Sequence, residues 1–154
     1  MASEVRIGML GSGFIGEFHA LGLRYVPGVR VAANWGAGPE RREAFAARFG
    51  SRPLDSIDAV CADPDVDLVV VSLPNHLHVE AVRSAAAHGK AVACTKPLGR
   101  NAAEAGEMVR LVETAGAFSV QSVATVDADN GGEVNFNPNQ AAFSNDPGPI
   151  PQPQ

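Results

Sequence analysis

Two cysteines, one tryptophan and one tyrosine are all that the 154 residues hold of those types. Cys61 and Cys94 lie far apart, and neither has metal-ligand spacing around it. That excludes a disulfide framework and a clustered zinc site. Both are expected as reduced thiols, Cys94 as a small buried hydrophobe within an apolar run, and no metal is expected. No apolar run approaches the roughly 18 residues of a membrane span. The opening Met1-Ala2-Ser3-Glu4 has neither the basic nor the apolar region of a signal peptide, so a cytoplasmic location with no membrane partner is expected. Bases are absent beyond Arg110: residues 1–110 hold all 12 Lys and Arg, with 12 of the 17 Asp and Glu. The net charge of −5 therefore belongs to the C-terminal segment. A neutral body with an acidic tail excludes a basic nucleic-acid-binding surface.

What remains is a globular composition, 45% hydrophobic and 19% charged, long enough for one sizeable core. Val5 to Leu10 reads as a strand buried on both faces. It runs into Gly11-Ser12-Gly13-Phe14-Ile15-Gly16, glycines at the G-x-G-x-x-G spacing. In a dinucleotide-binding turn, Gly11 permits the sharp exit from the strand. Gly13 leaves room for a pyrophosphate against bare backbone, and Gly16 lets the next helix pack closely. The helix N-terminus then offers free N–H groups to the phosphates.

The helix is expected over Phe14 to about Tyr25, stopped by Pro27-Gly28, and Val29 to Ala33 reads as the second strand. A helix over Glu40–Phe49 places Phe45 and Phe49 on one face, and Gly50 ends it. Arg52-Pro53-Leu54 carries a short third strand, and Ser56–Cys61 a short helix. Leu68–Leu73 is the clearest strand, β-branched and uncharged. Asn75 is placed to cap a helix running to about Ala87, with Gly89 beyond its end. Ala91–Cys94 is a further strand. Asn101 and Glu104 have capping-box spacing before a helix whose apolar stripe is Ala105, Met108, Val109 and Val112, closed by Gly116. Five alternations of strand and helix predict an α/β fold: a doubly wound, mostly parallel sheet (Rossmann fold) with helices on both faces. Phe118–Val126 reads as a sixth strand and Glu133–Phe136 as its hairpin partner. Asp127–Gly132 between them reads as a turn rather than a calcium loop, because Pro138 falls where the loop's last acid belongs. The Asn/Pro/Gln-rich remainder is expected to be disordered. The division is a domain over 1–125 and an irregular acidic tail over 126–154.

In such a sheet, ligands bind beyond the carboxyl ends of the strands. Unusual polar residues collect there: Ser72-Leu73-Pro74-Asn75-His76-Leu77-His78 after one strand, Thr95-Lys96-Pro97-Leu98-Gly99 after the next. Four features occur in one order: the glycine turn extended to His19, Ala62-Asp63-Pro64-Asp65-Val66-Asp67, Pro74-Asn75-His76-Leu77-His78, and Lys96-Pro97. Together they resemble the N-terminal domain of the Gfo/Idh/MocA oxidoreductases, over residues 4 to 118. The resemblance implies a nicotinamide cofactor, NAD or NADP, and hydride transfer on a sugar, cyclitol or related polyol. It implies that Gly11, Ser12, Gly13 and Gly16 hold the pyrophosphate, with Phe14 and Ile15 beside it. Ser72, Leu73, Pro74, Asn75 and His78 then border the cofactor. Lys96 becomes the catalytic residue, near the nicotinamide and the reacting hydroxyl, where an ammonium stabilises charge as a proton leaves.

Two positions depart from the family pattern. Thr95, counted with the cofactor-binding residues, stands where the family most often has Glu. The stretch Asn34-Trp35-Gly36-Ala37-Gly38 lacks the acid that holds ribose hydroxyls in many NAD-binding members. With Arg41 and Arg42 close behind as counter-charges, NADP is expected to be accepted or preferred. Trp35 either covers the adenine or caps the sheet. His19 is expected as a packed, hydrogen-bonded residue, and His76 as solvent-facing.

The family's second domain supplies the substrate pocket and a catalytic His. Nothing after residue 118 resembles it, and all four histidines precede that point. Cofactor binding with little or no turnover is therefore expected of the chain alone, as an oxidoreductase cut short by truncation or a shifted frame. The alternatives are a non-catalytic nucleotide-binding sensor or partner module, and a fragment whose tail recruits a partner. An exposed apolar patch would favour homo-oligomers.

Overall fold

The computed structural model describes residues 4–116, 119–121, 125–126 and 134–135. Strand β1 (Val5–Leu10) leads through helix α1 (Phe14–Leu23) to β2 (Val29–Trp35), then α2 (Pro39–Phe49), β3 (Arg52–Pro53) and α3 (Ile57–Ala62). Next come β4 (Leu68–Val71), a 3₁₀ turn (Asn75–Leu77), α4 (His78–Ala87), β5 (Ala91–Cys94), α5 (Ala102–Ala115) and β6 (Ser119–Gln121). The six strands form one sheet in the order β3-β2-β1-β4-β5-β6, each pair parallel. The order turns back between β1 and β4, and that switch point opens a crevice at the strands' carboxyl ends.

Alternation along the strands divides the core in two. Ile7, Met9, Val31 and Val70 join Ala20 of α1 and Phe45 of α2 on one face. Leu10, Val69, Val71 and Val92 join side chains of α3, α4 and α5 on the other. Each large aliphatic buried this way contributes about 1.5–3 kcal/mol, and the doubly buried strands explain the nearly unbroken apolar runs.

The helix ends follow their sequence signals. Pro39 opens α2, and Gly50 closes it at φ +71°, in the left-handed region. Ser56 Oγ accepts the Ala59 N–H. Asn101 Oδ1 accepts the Glu104 N–H at 3.0 Å, and the Glu104 carboxylate reaches back to the Arg100 N–H at 2.9 Å. Asn75 does not cap as expected. It begins the 3₁₀ turn, its side chain caps nothing, and α4 starts three residues later at His78.

Three strand boundaries also move, and β4 stops at Val71 rather than Leu73. β2 runs past Ala33 to Trp35, which pairs with Leu10, because the polar Asn34 finds its partners inside the core. Of the expected strand Phe118–Val126, the described residues fall in two separate sheets. Ser119–Gln121 joins β5, while β7 (Thr125–Val126) pairs antiparallel with β8 (Val134–Asn135) in a separate ribbon. The hairpin partner is thus found where expected. The remaining residues of 126–154, including the turn and the tail, lie outside the described residues.

The Asp63-Pro64-Asp65-Val66-Asp67 stretch is a structural clasp. Arg6 bonds Asp67 at 2.8 Å and Asp65 at 3.1 Å, Arg52 bonds Asp63 at 2.7 Å, and Lys90 Nζ donates to the Asp63 and Val66 carbonyls. These bonds tie β1, β3 and the start of β5 to the turn before β4. On the other side, an apolar groove of about 610 Å³ lies between Phe18, Leu21 and Tyr25 of the α1 region and Leu68, Val70 and Ala93 of the sheet. No helix among the described residues is long and apolar enough to cross a membrane.

Candidate cofactor site

Strand register assembles the site. Leu10 pairs with Trp35 on one side and Val71 on the other, and Val71 pairs with Cys94. The ladder ends one step later: the Gly11 N–H donates to Trp35 O at 2.7 Å, Ser72 N–H to Leu10 O at 2.7 Å, and Thr95 N–H to Val71 O at 3.1 Å. Gly11, Trp35, Ser72 and Thr95 therefore stand side by side in a row along one edge of the sheet.

The glycine turn is built as its spacing requires. Gly11 sits at φ +116°, and a Cβ there would lie 2.4 Å from Ser72 O. A Cβ on Gly16 would lie 1.9 Å from Gly11 O, so this glycine packs on the turn itself rather than on the sheet. Around Gly13 the case is opposite, with nothing within 4 Å of an added Cβ. The turn is thus tight beneath Gly11 and Gly16 and open above Gly13, where bare backbone faces out at the N-terminus of α1. Phe14 and Ile15 are exposed, Phe14 at 81%.

Polar groups fit the same purpose. Ser72 Oγ is a buried hydroxyl without a partner among the described residues, beside the Gly11 turn. Ser12 is buried, and its Oγ accepts from Asn34 Nδ2 at 3.3 Å. A cradle lined with bare backbone and an unpaired hydroxyl suits a phosphate-bearing cofactor.

Asn34 was not singled out from the sequence. It is fully buried, also donates to Arg42 O at 3.1 Å, and accepts from Ser51 Oγ at 2.8 Å. One side chain thus links the glycine turn, α2 and the segment before β3. Its signal was available: a lone amide continuing the apolar run Val31-Ala32-Ala33.

The other expected residues fall into two groups. Lys96, Pro74 and Arg41 are exposed; Trp35, Asn75 and Thr95 are half-buried. Lys96 has no ion-pair partner among the described residues. Arg42, by contrast, is engaged, paired with Asp55 at 3.2 Å. Leu73 and His78 are buried. His78 lies under the loops, with both ring nitrogens against main-chain carbonyls, Leu73 O at 2.8 Å and Leu98 O at 3.0 Å.

His19 is half-buried, edge-on to Phe18, and burial lowers its pKa. It is packed against Phe18, but the hydrogen bond expected of it is not formed among the described residues. His76 is exposed, as expected. His88 pairs with Asp58 at 3.0 Å. Both cysteines are free and buried, and burial pushes Cys61 up to about 11 and Cys94 up to about 12. Neither is a thiolate nucleophile. No cluster of three or more His, Cys, Asp or Glu suited to a metal occurs among the described residues.

Known proteins resemble this chain in sequence and in fold. Over 108 residues the chain is 34% identical to inositol 2-dehydrogenase of Rhizobium meliloti, covering 70% of this chain and 32% of that protein. Over 121 residues it is 32% identical to levoglucosan dehydrogenase of Pseudarthrobacter phenanthrenivorans, covering 71% and 30%. The chain spans about a third of the length of these relatives. Among solved structures, an NAD-binding oxidoreductase from Klebsiella pneumoniae superposes with a TM-score of 0.72 at 32% identity, over 77% of this chain and 34% of that one. A 3-ketoreductase from Actinomadura kijaniata in complex with NADP does so at 0.73 and 28% identity, over 78% and 39%. The profile of the oxidoreductase family with the NAD-binding Rossmann fold matches residues 5–122, and the chain belongs to that family, Gfo/Idh/MocA.

Proposed function

We propose that this chain holds NAD(P) along the row of strand ends from Trp35 to Thr95, as the cofactor-binding part of an oxidoreductase acting on a sugar, cyclitol or related polyol. The observation that carries the reading is the turn open above Gly13 beside the unpaired Ser72 hydroxyl. The activities named for the inositol and levoglucosan relatives support the substrate class. When bound, the cofactor supplies hydride chemistry. The chain's own residues do the rest. The N–H groups at the start of α1 meet the pyrophosphate. Leu73, Pro74 and Asn75 flank the nicotinamide end. The Lys96 ammonium donates to a substrate oxygen and stabilises charge there as the hydroxyl proton leaves.

The absence of a carboxylate from Asn34 to Gly38, followed by exposed Arg41, supports acceptance of NADP and a preference for it. The chain on its own binds cofactor with little or no turnover, since the Lys96 ammonium cannot take up the proton the hydroxyl loses and no histidine follows His88 in this chain to serve as the base. Titration with NADPH and NADH, followed by the fluorescence of Trp35, tests the reading. Saturable binding of both with NADPH tighter is expected. No binding by either overturns the cofactor assignment, tighter NADH overturns the preference, and polyol oxidation at about 1 s⁻¹ or faster overturns the lack of turnover.

A further inference from the structure

His78 is the first residue of α4 and is 0% exposed. Its Nε2 faces the carbonyl of Leu73, five residues back, and its Nδ1 faces the carbonyl of Leu98, twenty residues ahead. Leu73 belongs to the segment leaving β4, and Leu98 to the segment leaving β5. Past the last ladder bond, Thr95 N–H to Val71 O, these are the hydrogen bonds that span the two segments among the described residues. A histidine that merely fills a core needs its polar atoms satisfied by any neighbours. Here the two partners lie one in each loop, on either side of the place proposed for the nicotinamide.

The ring's chemistry makes the link directional. A neutral imidazole has one N–H donor, and a protonated one has two. In the neutral ring one nitrogen donates, to Leu73 O at 2.8 Å or to Leu98 O at 3.0 Å according to the tautomer. Nδ1 also lies 3.5 Å from the Cys94 thiol, on the strand that feeds the second loop. In either protonation state the ring connects the end of β4 with the β5 side. Asn75 and Lys96 sit close along the chain to those anchor points, so the ring holds their backbone segments at a fixed separation.

We propose that His78 is a positioning residue: seated between Leu73 O and Leu98 O, bonded to one and packed against the other, it sets the width of the slot between Leu73–Asn75 and Thr95–Leu98 that receives the nicotinamide end of the cofactor. This rests on the cofactor assignment above. It predicts that His78 governs the nicotinamide-dependent share of binding and leaves the adenine-side share alone.

The test uses the full chain and two ligands, NADPH and 2′-phospho-ADP-ribose, which lacks the nicotinamide. Each is titrated by Trp35 fluorescence against the parent protein, His78→Leu, His78→Gln and His78→Asn, with melting temperatures measured alongside. The parent is expected to bind NADPH about tenfold tighter than the fragment, a difference of about 1.4 kcal/mol. In His78→Leu that ratio falls toward one, while the fragment's Kd changes by less than about twofold, or about 0.4 kcal/mol. Gln retains a donor near the Nε2 position and Asn one near Nδ1, so each recovers part of the ratio. The emission of bound NADPH returns toward its free value in His78→Leu and moves back in the Gln and Asn proteins.

An unchanged ratio in His78→Leu overturns the role. So does an equal loss of both ligands in all three variants, which marks a plain core residue, and so does a parent ratio already near one. If His78→Leu does not fold, the Gln and Asn proteins decide by the same ratio. A parent that binds neither ligand overturns the cofactor assignment itself, an outcome distinct from a parent that binds both with a ratio His78 does not control.

Discussion

The carbonyl oxygen of Gly11 lies 1.9 Å from where a Cβ on Gly16 would stand. The two glycines close the turn on each other, and Gly13 between them is free of neighbours. This separates stability from binding. Gly16→Ala forces backbone against Cβ and is expected to cost about 3 kcal/mol, a fall of about 10 °C in melting temperature. Gly13→Ala has space and an ordinary backbone conformation, so its stability stays within about 0.5 kcal/mol of the parent. Its methyl group occupies the phosphate's approach, and NADPH affinity is expected to fall about tenfold, or about 1.4 kcal/mol. Thermal melts and Trp35 titrations of the two proteins check both halves. A stable Gly16→Ala protein would show that the turn can open.

The fold was legible because local signals agreed with one another. Strands buried on both faces read as unbroken apolar runs. Pro39, Gly50, Ser56, Asn101 and Gly116 mark helix ends by mechanisms that need only neighbouring residues. What escaped depended on distant partners. Asn34 resembles a strand-ending residue until Ser12, Arg42 and Ser51 are brought around it. Asn75 has a capping side chain, yet the Pro74 bend leads into a 3₁₀ turn that leaves it unused. The family resemblance puts His78 at the border of the cofactor, whereas the structure buries it beneath the loops. Its two carbonyl partners, five and twenty residues away, could not be read from spacing. The Asp63–Asp67 motif has no role legible from its residues alone, and its Arg6, Arg52 and Lys90 partners supply one.

Asn34 carries a prediction about stability. Removing its side chain strands the Ser51 hydroxyl and the Arg42 carbonyl, each in a buried or half-buried setting. Leaving such groups unpaired costs about 1–3 kcal/mol apiece before any cavity is counted. Asn34→Ala is expected to lose about 3 kcal/mol in urea unfolding, whereas Ser51→Ala loses about 1 kcal/mol. Because Asn34 also donates to Ser12 Oγ, the Ala protein should bind NADPH more weakly even where it remains folded. Equal urea midpoints for parent and Asn34→Ala would show that water replaces the amide without loss.

Asp67 carries the pH dependence. The Arg6 side-chain hydrogen bonds, reinforced by the Arg6 N–H and its charge, hold this carboxyl down to about 2. In the unfolded chain it titrates near the ordinary aspartate value of about 3.9. Between these values the unfolded state binds the proton more readily, so stability rises with pH through this window. The contribution is complete above about pH 4 and is lost as pH falls toward 2. The pair is partly exposed, so its worth is about 1 kcal/mol or less. Asp67→Asn is expected to lower the melting temperature at pH 7 by a few degrees and to narrow the gap between variant and parent at pH 2.5. A constant gap across that range would place the acid sensitivity elsewhere.

Arg41 and Ala37 bear on the choice between NADH and NADPH. Arg42 is already paired with Asp55 and lends its carbonyl to Asn34, which leaves Arg41, exposed in the first turn of α2, as the cation available to a 2′-phosphate. An exposed pair of this kind contributes about 1 kcal/mol. Arg41→Ala should therefore weaken NADPH about fivefold, or about 1 kcal/mol, and leave NADH nearly unchanged. Ala37→Asp adds a carboxylate to the stretch after β2 that has none. Ala37 is exposed, whereas a side chain at Gly36 would run into Ser12 Oγ at 2.7 Å. The new charge should repel NADPH and offer NADH an acceptor for its ribose hydroxyls, moving the ratio of the two dissociation constants toward NADH. The two substitutions act on the same ratio from opposite charges, so their effects should reinforce each other in the double variant. Parallel titrations with both nucleotides in increasing salt complete the check. The Arg41 effect should shrink as ionic strength rises, while a ratio indifferent to salt and to both substitutions would place the 2′-phosphate away from α2.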